Sequence, residues 1–457
     1  MGWLGPPGPS PMTQPYRFRY DGYAIDKAAS VVDFRYATRD HTFTERFAFE
    51  KGGDWDDPAV LAAVRILYLL AGVSYYKTSA ADVIDLGALA TTSAERDFLR
   101  SFYVNGLGEF AYRNGIDLRS LRIEGPDADA SATATATYEP EPGRPLIPFG
   151  GGIDSIVTVE SLRREHPAAA LCVVSPPGSR FAAIEDAAAV TELPVTRIER
   201  TLDPLVRRSA ELGLLNGHVP VTAIITAAVL VAAVLERRDA VVLSNEWSAS
   251  VPTLVSDGTP VNHQWSKGAE FESALGELVR STLGPDVEVF SYLRPRSELW
   301  VAAQFAGLAG YHPVFRSCNR AFHQNAADRL DQWCGRCDKC CFVDLVLAPF
   351  MARVDLETVF DGREPLQEEA NEERFRTLLA LGDGAKPFEC VGDTDECRSA
   401  LALVARRDDR ADSDLIARLR AEVGDAAVTD TASILEPHGF HRIPDRYAPP
   451  DLLVRAR

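Results

Sequence analysis

The chain has 457 residues and a formal net charge of −18 at pH 7, with 46% apolar and 25% charged residues. That length is enough for two or three domains with cores of their own, and the composition is that of an ordinary soluble globular protein. The acidic balance argues against a protein that grips nucleic acid, because neutralising phosphates takes clustered Lys and Arg. The longest apolar run, around Ala223 to Leu235, is short for a membrane span. No basic segment leads into an apolar core near the start, so a cytoplasmic location with no membrane partner is expected.

Residues 1–15 (MGWLGPPGPSPMTQP) read as a disordered tail. Tyr16–Tyr23 and Ala29–Phe49 carry alternating aromatic and β-branched residues and predict strands, followed by helical periodicity over 57–70 and 93–114. Residues 16–135 are therefore expected to form an N-terminal α+β domain, with the small, polar, Pro-containing stretch 125–143 as a linker.

From Pro145 strands and helices alternate. Strands are expected at Leu146–Phe149, Ala170–Ser175, Val195–Arg200, Ala240–Ser244 and Val287–Tyr292. Helices are expected between them at 154–165, 184–192, 204–214, 222–237 and 270–282. This predicts an α/β fold with a doubly wound parallel sheet over 136–352, its ligand at the carboxyl ends of the strands. Residues 353–457 are charged and read as mostly helical.

Gly150-Gly151-Gly152-Ile153-Asp154-Ser155 lies between the first of those strands and its helix. Glycines let the backbone approach a phosphate, and a helix N-terminus supplies unpaired N–H groups and a favourable dipole. The loop has neither a Walker A ending nor dinucleotide-fingerprint spacing. It resembles the Ser-Gly-Gly-x-Asp-Ser loop of the PP-loop ATP pyrophosphatases, with Gly150 in place of the first serine. That resemblance implies ATP cleaved to AMP and pyrophosphate, the backbone from Gly151 to Ser155 wrapping the pyrophosphate, Ser155 donating to it, and adenine near Val173–Ser175. Asp154 is the candidate Mg²⁺ ligand; the alternative is a helix-terminal acid that needs no metal.

Two polar clusters follow later strands. In SNEWSAS (Ser244–Ser250), Glu246 is a candidate for a second face of Mg²⁺ or for a base, against the alternative of a capped turn. In VNHQWSKGAEFE (Val261–Glu272), His263 and Lys267 stand out, the lysine because the chain has only six. Lys267 suits a phosphate or a substrate carboxylate. Cys334, Cys337 and Cys340 are spaced three apart, with Cys318 sixteen residues upstream, a set able to close a tetrahedral zinc site. Cys341 is left as a spare thiol.

Taken together, FGGGIDS, SNEWSAS, VNHQWSKG and WCGRCDKC are similar to the MurL family of ATP-dependent UDP-N-acetylmuramoyl-L-alanyl-L-glutamate epimerases. GVSYYK (Gly72–Lys77), FYVNGLGEFAYRN (Phe102–Asn114) and KPFEC (Lys386–Cys390) agree. The resemblance implies epimerisation of the terminal L-glutamate of a nucleotide-linked peptidoglycan precursor, with ATP and Mg²⁺ as cofactors and a nucleotide-sugar peptide as substrate. Glu246, His263, Lys267 and a thiol such as Cys341 are the candidate proton carriers. The alternatives are a PP-loop enzyme that forms an amide, nitrile or thio group on a small molecule, a non-catalytic ATP-binding regulator, and a zinc-stabilised interaction module.

Overall fold

The computed structural model describes residues 16–128, 136–256, 258–323, 326–330, 332–382, 388–389, 391–425, 428 and 431–453. The expected tail 1–15, part of the expected linker, and Lys386, Pro387 and Cys390 of KPFEC lie outside the described residues.

The strands among the described residues are β1 (Arg17–Asp26), β2 (Val31–Ala37), β3 (Thr42–Phe49), β4 (Val83–Asp85), β5 (Arg122–Glu124) and β6 (Glu141–Pro148), then β7 (Ala170–Ser175), β8 (Val195–Thr201), β9 (Arg238–Leu243), β10 (Leu254–Ser256), β11 (Thr259–Val261) and β12 (Glu288–Ser291). Ten of them share one sheet in the order β12-β9-β6-β7-β8-β3-β2-β1-β4-β5, and β10 and β11 form a separate hairpin. Pairing is parallel from β12 through β8. The sheet is therefore mixed and mostly parallel, and it runs on into the N-terminal strands because β3 pairs antiparallel with β8.

The side-chain pattern explains the layering. In β7 and β9 every residue but Val174 is buried, with Cys172, Val241 and Leu243 entering one core and Leu171, Val173, Ala240 and Val242 the other. Such strands must be covered on both faces. Helices Pro58–Ala71, Ser93–Gly106, Val221–Leu235 and Ala269–Leu283 supply the first cover, and Ile153–Leu162, Ala182–Thr191, Glu298–Ala306 and Asp338–Leu347 the second. By contrast β2 buries Val32, Phe34 and Tyr36 and leaves Asp33 to pair with Arg46 across the exposed face.

The predicted helix over 93–114 is broken at Leu107 into Ser93–Gly106 and Gly108–Asn114, and the predicted helix over 204–214 closes at Arg207. One stretch, Pro58–Tyr76, is long and apolar enough to cross a membrane, but 83% of its apolar window is buried inside the fold. The sequence expectation passed over it because Arg65 interrupts the run; that side chain pairs with Glu95. Beyond 353 the chain is helical as expected, through Arg353–Val359, Glu372–Leu378, Thr394–Val404 and Asp414–Val423.

For the site, one consequence of strand order matters most. The chain leaves β6 toward β7 on one side and returns to β9 on the other, so the crevice beyond the carboxyl ends of β6 and β9 is the switch point where α/β sheets bind ligands.

Candidate active site

The glycine loop fills that crevice. Gly151 has φ +73° and a Cβ there would lie 2.2 Å from the Ala183 carbonyl oxygen, so the position accepts only glycine. At Gly152 a Cβ would meet Ser317 Oγ at 2.7 Å, whereas Gly150 faces open space. The third glycine is the N-cap of Ile153–Leu162, and no side chain caps that end. The Ser155 hydroxyl donates to the Gly152 carbonyl at 3.0 Å. Beside the loop, Arg180, Arg316 and Arg329 border a cavity of about 240 Å³ floored by Phe181, Ala183 and Val314. The first of these residues follow β7, the strand where adenine is expected.

Three carboxylates meet at the strand tips. Asp154 opens the helix after β6, Glu246 follows β9, and Glu298 opens the helix after β12; one oxygen from each lies within 4.8 Å of the others. Burial pushes the Glu298 carboxyl well above the usual range, and the charges of Asp154 and Glu246 push the same way while Lys339 opposes them. Three close carboxylates suit a hard dication with oxygen ligands, so the donor set fits Mg²⁺. Ser244 Oγ, at the end of the same strand as Glu246, is buried with no hydrogen-bond partner among the described residues.

Arg294 ties the surrounding segments together. It is 2% exposed, donates to the Glu246 carbonyl at 2.8 Å and to the Lys267 carbonyl, and forms a 2.8 Å ion pair with Glu272. Glu246 and Lys267 are thus brought close through their backbones.

A second cluster lies on the side of the first helical layer. His263 Nδ1 hydrogen-bonds Glu109 Oε2, and Arg113 Nε donates to Glu109 Oε1 at 2.6 Å. Burial pushes the Glu109 carboxyl up, but His263, His218 and Arg113 outweigh it and hold it below its usual value. His218 is pushed down to about 4 by burial and then by the His263 charge, with Lys77 and Lys267 acting in the same sense. Lys77 donates to the Gly217 carbonyl at 3.1 Å, and burial pushes it down to about 8. Lys339 acts on Glu298 and also on Glu389, and Glu389 in turn feels His263.

Three of the four candidate cysteines, Cys334, Cys337 and Cys340, bring their sulfurs within 4.8 Å of one another. Cys340 Sγ lies 3.4 Å from Cys337 Sγ and 3.6 Å from Cys334 Sγ. Cys318 hydrogen-bonds Cys337 and Cys340, which push its thiol down to about 3. Sulfurs on one tetrahedral zinc at about 2.3 Å stand about 3.8 Å apart, so the Cys334, Cys337 and Cys340 thiols have a spacing that fits a zinc, with Cys318 beside Cys337 and Cys340 as the candidate fourth. Cys341 does not join them. It is fully buried among apolar side chains, and burial pushes its thiol up, so it is not placed as a proton carrier.

The MurL N-terminal domain matches residues 11–292 and the MurL C-terminal domain residues 314–434. The chain belongs to the MurL family. Among its MurL relatives, a UDP-N-acetyl-alpha-D-muramoyl-L-alanyl-L-glutamate epimerase of Xanthomonas oryzae pv. oryzae is 38% identical over 93% of this chain and 95% of its own length. The epimerase of the same name from Salinispora tropica is 38% identical over 94% of each chain. That of a Micromonospora species is 36% identical over 94% of this chain and 96% of its own. No solved structure matches the chain.

Within this MurL chain the residues missed by sequence reasoning are Glu298, Glu109, His218 and Arg294. Glu109 stands in the quoted FYVNGLGEFAYRN motif, where its signal was present but unused. Glu298 was concealed because an acid in the first turn after Ser297 reads as an ordinary helix start.

Proposed function

We propose that this chain is an epimerase that inverts the terminal L-glutamate of UDP-N-acetylmuramoyl-L-alanyl-L-glutamate to the D-form, with ATP consumed to AMP and pyrophosphate through an acyl-adenylate. The activity for which the relatives are named supports the reaction and the substrate. The observation that carries the ATP part is the meeting of Asp154, Glu246 and Glu298 beside the glycine loop at the switch point. A PP-loop type of sheet and a cytoplasmic location go with this reading.

The chemistry follows from the substrate. A free α-carboxylate makes its neighbouring C–H weakly acidic, because deprotonation would set a second negative charge beside the first. Adenylation removes the carboxylate charge and leaves an acyl group that spreads the carbanion as an enolate. A positioned base then takes the proton, delivery to the other face inverts the centre, and water releases AMP. In this chain Gly151 and Gly152 open the backbone to the phosphates, while Asp154, Glu246 and Glu298 would hold Mg²⁺, which supplies charge neutralisation at the leaving pyrophosphate. Cys318, Cys334, Cys337 and Cys340 would hold a structural zinc. His263, oriented by Glu109, is the base that the geometry favours over Glu246, whose carboxylate belongs to the acidic trio. Lys267 is suited to a substrate carboxylate or phosphate near His218.

The test is incubation with ATP, Mg²⁺ and the dipeptide precursor in D₂O. The expected products are AMP, pyrophosphate and a D-glutamyl product carrying deuterium at its α-carbon. ADP and phosphate, or AMP with an L-glutamate that carries no deuterium, would refute the reading.

A further inference from the structure

Both imidazoles beside Glu109 turn the same nitrogen toward the same oxygen. His263 Nδ1 hydrogen-bonds Glu109 Oε2, and His218 Nδ1 lies 3.9 Å from that oxygen. The ring centroids are 4.3 Å apart at an interplanar angle of 40°. Rings in contact leave no space for a substrate carbon between them, so the pair cannot serve as two carriers on opposite faces of one stereocentre. The three groups also offer one ligand atom each within 4.8 Å of one another, a spacing a metal ion could use. As they stand, two imidazole nitrogens converge on a carboxylate oxygen, and what that arrangement provides is a connection. Side-chain exposure is 7% for Glu109, 15% for His263 and 25% for His218, so His218 is the one of the three that reaches solvent most.

We propose that His263, Glu109 and His218 form one proton relay, in which His263 exchanges a proton with the substrate α-carbon, Glu109 fixes the His263 tautomer and His218 passes the proton to and from water. The relay rests on the epimerase reading. With Nδ1–H donated to Glu109, the basic nitrogen of His263 is Nε2. When the α C–H bond breaks, its electron pair stays on the substrate as the enolate and the proton bonds to Nε2. The Nδ1 proton crosses to Glu109 Oε2; once the 3.9 Å gap to His218 Nδ1 closes to hydrogen-bond distance it passes to that nitrogen, and His218 Nε2 releases its own proton to water. The reverse sequence supplies a solvent proton. His218 is suited to transit because burial and the His263 charge keep it from retaining a proton. Arg113 on Glu109 Oε1 and Lys77 and Lys267 near His218 make both groups poor resting places for a proton, so it passes through them without staying.

Wild type, His218→Asn, Glu109→Gln and Glu109→Asp would be compared in D₂O with the dipeptide precursor, ATP and Mg²⁺, following AMP release, deuterium at the α-carbon and the unfolding temperature. His218→Asn is expected to keep AMP release and lose about tenfold in deuterium incorporation, with added imidazole restoring it in proportion to its concentration. Glu109→Gln is expected to lose about a hundredfold in exchange, with Glu109→Asp recovering part of it. Wild-type deuterium incorporation in His218→Asn overturns the relay, as does a bound transition metal that elemental analysis finds in wild type and not in Glu109→Gln. Absence of AMP release from wild type refutes the epimerase reading itself.

Discussion

Replacing Arg294 tests whether one buried cation holds the segments of the site in place. Its side chain is 2% exposed, that of Glu272 is 3% exposed, and the two are joined at 2.8 Å. The same guanidinium donates to the carbonyls of Glu246 and Lys267. Arg294→Met would strand a buried carboxylate, at about 3–5 kcal/mol. It would also strip a partner from each of two carbonyls, at about 1–3 kcal/mol apiece before water or relaxation intervenes. The loss is comparable to the whole stability of a typical domain, about 5–15 kcal/mol. The double change Arg294→Met with Glu272→Leu removes the stranded charge and should return most of the ion-pair part, leaving the carbonyl part. Urea unfolding followed by tryptophan fluorescence measures both variants. Activity should stay low even in the stable double variant, because Glu246 and Lys267 lose their shared anchor. A single variant that loses less than about 1 kcal/mol, the range of an exposed pair, would refute the reasoning. So would a double variant no more stable than the single one.

Gly151→Ala should cost at least about 1–2 kcal/mol for its positive φ, displace Ala183 and abolish AMP formation. Gly150→Ser, which enters open space, should change stability by no more than about 0.5 kcal/mol; equal behaviour in urea unfolding would refute the loop geometry. Elemental analysis of protein purified without chelator should find about one zinc per chain, lost in Cys337→Ser together with thermal stability. His218, pushed down to about 4 in the fold against about 6.5 unfolded, is neutral when folded, so the unfolded chain binds the extra proton as pH falls below 6.5. That contribution is fully present above the unfolded value, falls away down to pH 4, and amounts to at most about 3 kcal/mol. His218→Asn should flatten the stability difference between pH 7 and 4.5; an unchanged difference would show that His218 is not held neutral.

The parallel half of the sheet was legible because its strands are short apolar runs separated by helical periodicity, and β7 matches its expected bounds at Ala170–Ser175. The junction of β3 with β8 was not legible. Phe49 and Ile198 are partners separated by most of 150 intervening residues, and nothing local in either strand names the other. The same contrast governs the site. Asp154 and Glu246 were both found because each follows a strand, and the strand order makes those two strands neighbours. That logic extends one strand further: β12 lies beside β9, so the acid after β12 had to arrive at the same crevice, and Glu298 does. Glu109 and His218 obey no such rule, since they come from a helix and a loop on the covering layer and meet His263 only through packing. Lys339 shows why the motifs were only half readable. Its sequence neighbours Cys337 and Cys340 drew the reading toward thiol chemistry, while its charge acts on Glu298 and Glu389, which stand far from it in the chain and which no local spacing ties to it.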